Sequence, residues 1–313
     1  MLTILLIIIG LCLFEIVSSI DNAVVNAEVL GHMGDKARRW FLLWGVLFAV
    51  FVIRGLLPWL ILYLVQPKFG IWGALTASFQ GSKLVEQSIM LAAPRLLLGG
   101  GIFLLFLFLH WLFLEDKNFG LKGERFFQRH GVWFYAVASV LLSIIVWLAV
   151  HTDPILVFAA VVGSTGFFVV HGFREQAEKI ELQAGANSHM SDISKVIYLM
   201  IIDATFSMDG VLGAFAFTLS IPLILIGNGI GAIIVSRLTI KGIDQIKKYP
   251  YLKNGAMYAI GLLGLFMTLE GFGYHLPDWL SPLVTLLIVA FFFIKRDKKS
   301  ETSKKQEERS EKQ

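Results

Sequence analysis

Nine apolar runs of membrane-spanning length, or close to it, dominate this sequence, at about 2–30, 41–65, 95–114, 132–150, 155–171, 194–218, 222–237, 256–272 and 279–294. A bilayer core about 30 Å thick takes roughly 20 apolar residues in helical form, and a helix satisfies its own backbone there. A soluble globule has too little interior for this much apolar surface: of 313 residues, 56% are hydrophobic and only 16% are charged, with mean hydropathy +0.72. The expected fold is all-α, a polytopic membrane helix bundle of about nine helices with an inverted-topology repeat.

The basic residues set the expected orientation. The loops at 31–40, 115–131, 172–193 and 238–255, with the tail from 295, hold 21 of the 27 Lys and Arg. They alternate with nearly uncharged links, HTDP at 151, LSI at 219 and FGYHLPD at 272. The positive-inside rule then puts the N-terminus outside and the C-terminus in the cytoplasm of a multi-pass protein of the cell membrane. Residues 66–94 are placed outside, as a partly helical segment on the membrane surface with Lys83, Glu86 and Gln87 on its wet side, because a crossing there would reverse the charge asymmetry. A re-entrant element lining a pathway is the other reading of that stretch. The run MLTILLIIIGLCLF lacks a basic leader and a small-residue cleavage site, and reads as a retained span. Segment 172–193 reads as a short charged connection, and 295–313 as a disordered cytoplasmic tail. The one cysteine, Cys12, excludes a disulfide framework within the chain. The net charge of +4 is distributed as a topology signal, so nucleic acid is not an expected partner.

Two stretches break the apolar pattern with acid. EIVSSIDNAV (Glu15 to Val24) and DATFSMDGVL (Asp203 to Leu212) each place an acidic residue, a serine four residues on and an aspartate two further on. Glu15, Ser19 and Asp21 thus correspond to Asp203, Ser207 and Asp209, while Asn22 stands opposite Gly210. An ionisable residue inside a span is costly and is a functional-site hypothesis by default. Spans one and six run in opposite directions in the scheme above, which is the arrangement of an inverted repeat with its site near the bilayer midplane. GVLFAVFVIRG, ending around Arg54, also matches NGIGAIIVSRL, ending around Arg237. A weaker match joins the stretches leading to Glu115 and Glu270. The transmembrane unit is expected over 1–294, with repeats at about 2–114 and 194–272.

At about 100° per residue, Glu15, Ser19 and Asn22 share a helix face, as do Asp203, Ser207 and Gly210. Asp21 and Asp209 fall about 120° away, so either each helix unwinds near its serine or the trailing aspartates face other neighbours. Four carboxylates with the oxygens of Ser19, Ser207 and Asn22 suit a hard divalent cation: Mn²⁺, Ca²⁺ or Mg²⁺. Taking Arg54 and Arg237 as buried structural or gating charges leaves two negative charges, which one divalent ion neutralises and which an empty site relieves by taking up protons. Ion–proton exchange follows as the expectation, because moving a divalent cation outward costs about 4.6 kcal/mol per 100 mV. Competing readings stay open. Asp21 with Arg54 and Asp209 with Arg237 are also readable as ion pairs that hold helices together. Ser19 and Ser207 are readable as bonded to their own helix backbone. His110, His151 and His171 read as interfacial, Asn228 and its glycine neighbours as helix packing, and Cys12 as apolar filler.

At EIVSSIDNAVV and DATFSMDGVLGAF the sequence resembles the TerC family of integral membrane proteins. The second motif is closer to a branch defined by a domain of unknown function than to the core family, where Ser-Ile-Pro usually follows the second aspartate. Membership of the wider LysE-like cation transporter superfamily implies acidic intramembrane ion sites, and some relatives are linked to Mn²⁺ export. Carried over by motif, the implied metal site is Glu15, Ser19, Asp21, Asn22, Asp203, Ser207 and Asp209; Gly210 departs from the pattern. The expected activity is transport of a divalent cation, with Mn²⁺ first and Ca²⁺ or Mg²⁺ next, rather than an enzyme's reaction. The expected partners are the metal ion, protons and the lipid membrane, with no resident cofactor. The alternatives are a non-transporting membrane component of a metal or tellurium stress-response complex, and an intramembrane aspartyl protease with Asp21 and Asp209 as its dyad.

Overall fold

The computed structural model describes residues 2–19, 33–45, 83–116, 121–186, 210–241 and 251–294 with isolated positions between them, and gives only the backbone course of 83–92, 177–186 and 238–241. In chain order these form α1 (Leu2–Ser18), α2 (Asp35–Trp40, running into a π-helical turn at Phe41–Gly45), α3 (Lys83–Leu114) and α4 (Lys122–Arg129). Then follow α5 (Trp133–Thr152), α6 (Pro154–Ala186), α7 (Ile221–Lys241), α8 (Leu252–Gly271) and α9 (Leu280–Ile294). No strand occurs among the described residues.

The apolar stretches Ala93–Leu114, Trp133–Thr152, Pro154–Phe173 and Leu252–Gly271 are long enough to cross a membrane, and Leu2–Ser18, Ile221–Arg237 and Leu280–Ile294 are shorter apolar helices. The chain is a polytopic helix bundle. Burial separates its centre from its periphery: the spanning stretch of α3 is 67% buried and that of α5 only 22%. Accordingly α5 turns Val140, Ile144 and Trp147 outward, a surface that lipid tolerates and water does not.

Glycine decides which helices meet. Association in lipid gains little from apolar burial, so backbone proximity and shape complementarity carry it. α3 and α8 run antiparallel along a seam where an added Cβ at Gly101 would stand 2.8 Å from the Gly264 carbonyl, and one at Gly271 2.8 Å from Leu98 Cβ. Thr268 on this seam is buried but satisfied, donating to the Gly264 carbonyl at 2.8 Å. α6 packs parallel to α3, with the Gly99 carbonyl against Gly163 and the Phe103 and Phe106 rings edge-on to Phe167.

A second cluster forms around α1. Leu11 meets Gly227 and Glu15 meets Gly231, so α7 runs parallel to α1. Gly10 meets Pro282, and Val17 shares a buried cluster with Val289, so α9 is parallel as well. Residues 210–217 run the other way: Gly210 lies at Glu15, Gly213 at Phe14, and Phe217 at Gly10. α8 turns back against α9 and lies antiparallel to α3, so α1 and α3 point in the same direction. That is the relation required if 66–94 makes no crossing of its own.

Two boundaries differ from the sequence reading. The crossing helix α3 already begins at Lys83, with Pro94 inside it, so the end of the stretch read as a surface segment is continuous with the span. Hydropathy stops short there because Lys83, Glu86 and Gln87 dilute it, whereas lipid-spanning helices tolerate an internal proline. α6 likewise does not stop at 171. It continues through the charged stretch to Ala186, 33 residues and about 50 Å, well beyond one bilayer core. The tail from 295 lies outside the described residues.

The loop read at 115–131 contains α4, which exposes Phe126 and buries Glu124. Glu124 Oε2 accepts the Leu121 N–H at 2.7 Å and the Asn254 amide at 2.7 Å, fastening the helix start to α8. Beside it, Lys253 pairs with Glu115.

Candidate functional site

Glu15 is fully buried, in the last turn of α1. Helical structure ends at Ser18, and Ser19 sits in a turn, its N–H donating to the Glu15 carbonyl at 3.1 Å. Of the two arrangements left open for this motif, the described residues match helix termination near the serine. The Ser19 hydroxyl donates to Glu15 Oε1 at 2.5 Å. It therefore serves the carboxylate, and the neighbouring Ser18 makes the side-chain bond to backbone, to the Glu15 carbonyl at 3.3 Å. A hydroxyl donor held on one carboxylate oxygen fixes the orientation of the group.

The other walls of the site are glycines. An added Cβ at Gly231 on α7 would stand 2.6 Å from Glu15 Cβ and 2.8 Å from the Cys12 carbonyl, so α7 touches α1 at backbone level. From the second motif, an added Cβ at Gly210 would stand 3.2 Å from Glu15 Oε2. Of the four ligand-type positions aligned between the motifs, this is the one where the second motif carries no side chain, and it is the position that admits the carboxylate. A side chain the size of Asn22 would compete for the same volume.

Of the remaining predicted site residues, Asp21, Asn22, Asp203, Ser207, Asp209 and Arg54 lie outside the described residues. Among the described residues no group of three or more His, Cys, Asp or Glu gathers to hold a metal. Arg237 is exposed, six residues and about 9 Å beyond Gly231 along α7. This corrects the charge count, which took it as buried. A long cationic side chain near the end of an apolar span reaches toward the aqueous boundary, where its charge costs little. Cys12 is half-buried one turn before Glu15, with its carbonyl at the α7 contact.

The histidines divide. His151 is exposed, its Nδ1 2.7 Å from the Trp147 carbonyl, as an interfacial residue would be. His110 and His171 instead face each other across α3 and α6, ring centroids 3.8 Å apart, and His171 stacks on Phe167. Neither that pair nor Glu124 was legible as a cluster, since their members are 61 and 130 residues apart in sequence and share no motif.

The family model described as "Protein of unknown function (DUF475)" matches residues 20–300. The chain belongs to this family. The match takes in Asp21, Asn22, Asp203, Ser207 and Asp209, and begins directly after Ser19. The DUF475 chain is also similar to the "Uncharacterized membrane protein YceF" of Bacillus subtilis (strain 168), 32% identical over 96 residues, which is 31% of this chain and 37% of that protein. It thus spans well under half the length of that relative. No solved structure matches. The findings agree on a membrane protein with several apolar helices.

Proposed function

We propose that this protein transports a divalent metal cation across the cell membrane, with Mn²⁺ as the favoured substrate, outward and in exchange for protons. The observation that carries the reading is the environment of Glu15: a fully buried carboxylate in an apolar helix, hydrogen-bonded by Ser19 and abutted by Gly210 of the oppositely running second motif. Keeping an ionisable group there costs several kcal/mol unless it binds a cation or a proton, and a transport cycle alternates between the two. Glu15, Ser19, Asp21, Asn22, Asp203, Ser207 and Asp209 are the proposed cation-binding residues. The resemblance to the TerC family and its LysE-like superfamily supports the choice of Mn²⁺, and the distribution of Lys and Arg supports an external N-terminus and a cytoplasmic C-terminus.

The test is flux in reconstituted liposomes loaded with a pH dye. Mn²⁺ movement should be accompanied by opposite proton movement, and Glu15→Gln or Asp209→Asn should abolish both while the protein still inserts. Flux at the wild-type level in both variants would remove the basis of the proposal.

A further inference from the structure

Helix α4 lies across the ends of three membrane-spanning helices. Its Phe127 ring meets Phe113 at the end of α3, with centroids 5.2 Å apart, and its Glu124 holds Asn254 at the start of α8. Gly131, just beyond it, packs on Leu114 and is followed at once by Trp133, which opens α5. These contacts fix α4 at the membrane boundary, on the side of the bundle where the spans of α3 and α8 both terminate.

They also fix which way it faces. At about 100° per residue, Arg125, Phe126 and Arg129 fall within about 100° of one another, opposite Glu124 and Phe127. All three are exposed, and among the described residues neither arginine has a carboxylate partner. A short helix presenting two guanidinium groups beside a bare aromatic ring is suited to the headgroup layer, where the ring enters the acyl boundary and the charges meet phosphate.

An apolar groove of about 370 Å³ begins at Leu121, directly before α4. It runs between α8 and α9, with Tyr258 stacked on Phe292 and with Leu262, Leu287 and Phe291 along it. Leu262 lies about 15 Å along α8 from its first residue, so the groove leads from the boundary into the bilayer. Leu262, Leu287 and Phe291 are exposed, which leaves it open toward lipid. Arg125 stands one turn beyond Leu121, on nearly the same side of α4.

We infer that α4 and this groove together bind one anionic phospholipid, with an acyl chain in the groove and the phosphate on Arg125 and Arg129. An apolar slot open to the hydrocarbon and capped by basic side chains at headgroup level matches both ends of such a molecule. Guanidinium groups suit phosphate because they can donate two parallel hydrogen bonds. The site is independent of cation transport.

The experiment uses the full chain in detergent micelles with equal amounts of phosphatidylglycerol and phosphatidylcholine of identical acyl chains, and native mass spectrometry reads the lipid retained. Wild type should keep one phosphatidylglycerol per chain, favoured about tenfold or more over phosphatidylcholine. The double variant Arg125→Gln/Arg129→Gln should bring the two lipids near parity with the lipid-free unfolding midpoint unchanged, and the corresponding double Lys variant should keep most of the preference. Leu287→Trp, which fills the groove, should lower retention of both lipids; should it fail to fold, Leu262→Trp carries the same comparison. An undiminished preference in the double Gln variant, or undiminished retention in the folded Trp variant, would overturn the assignment. So would release of the lipid by inorganic phosphate, which would make this a site for the free anion, or loss of a dimer in place of lipid in Phe126→Ser, which would make the face an interface between copies of the chain.

Discussion

Glu15 Oε2 lies 3.2 Å from the place a Cβ would take at Gly210, so the two acidic motifs meet at an oxygen and a missing side chain. At that distance a methyl group fits only if the carboxylate shifts by a few tenths of an ångström. Gly210→Ala should therefore fold, with a melting midpoint within a few degrees of wild type, yet lower cation flux several-fold. Gly210→Asn, which writes the first motif's residue into the second, should lower it further. Flux and thermal unfolding on the same preparations check the pair; unchanged flux in Gly210→Asn would mean the carboxylate position is irrelevant.

The Ser19 hydroxyl is committed to Glu15 Oε1. Hydrogen bonds to charged groups contribute about 1.5–3 kcal/mol in water-soluble proteins, and side-chain bonds inside membranes average nearer 0.6 kcal/mol. Ser19→Ala should cost stability at the low end of that range and weaken Mn²⁺ binding about three- to ten-fold, with Ser19→Thr close to wild type. Titration of both variants decides it, and equal affinity in Ala and Thr would reduce Ser19 to a helix-end residue.

Gly163 gives the converse case. Its added Cβ would stand 2.1 Å from the Gly99 carbonyl oxygen, a backbone atom that cannot swing aside, so Gly163→Ala must push α6 off α3. Overpacking of this kind typically costs about 1–3 kcal/mol. The unfolding midpoint in detergent should fall, while Mn²⁺ affinity of the folded fraction should persist, because the described neighbours of Glu15, namely Ser19, Gly210 and Gly231, do not come from α6.

Hydropathy made the helices legible and left their neighbours illegible. An apolar run reports the free energy of entering lipid, and α5, α7 and α9 appear within a few residues of where the runs place them. What pairs with what is written in single glycines, whose meaning depends on the helix opposite. Gly163 and Gly210 look alike in sequence, yet one sets a seam and the other admits a carboxylate. Glu15 stood out because a charge in an apolar run is anomalous by itself. Glu124 hid for the opposite reason: a glutamate in a basic loop looks solvated, and only the fold brings Asn254 to it.

Asp153 closes α5, its N–H donating to the Ala149 carbonyl at 2.9 Å, and opens α6, its Oδ1 accepting from the Ile155 N–H at 3.0 Å beside Pro154. One residue thus serves as the whole joint between two crossings. Such a joint has no slack, so α6 cannot travel along the membrane normal without dragging α5 through the same lipid. Any piston-like displacement of α6 must be a displacement of the hairpin.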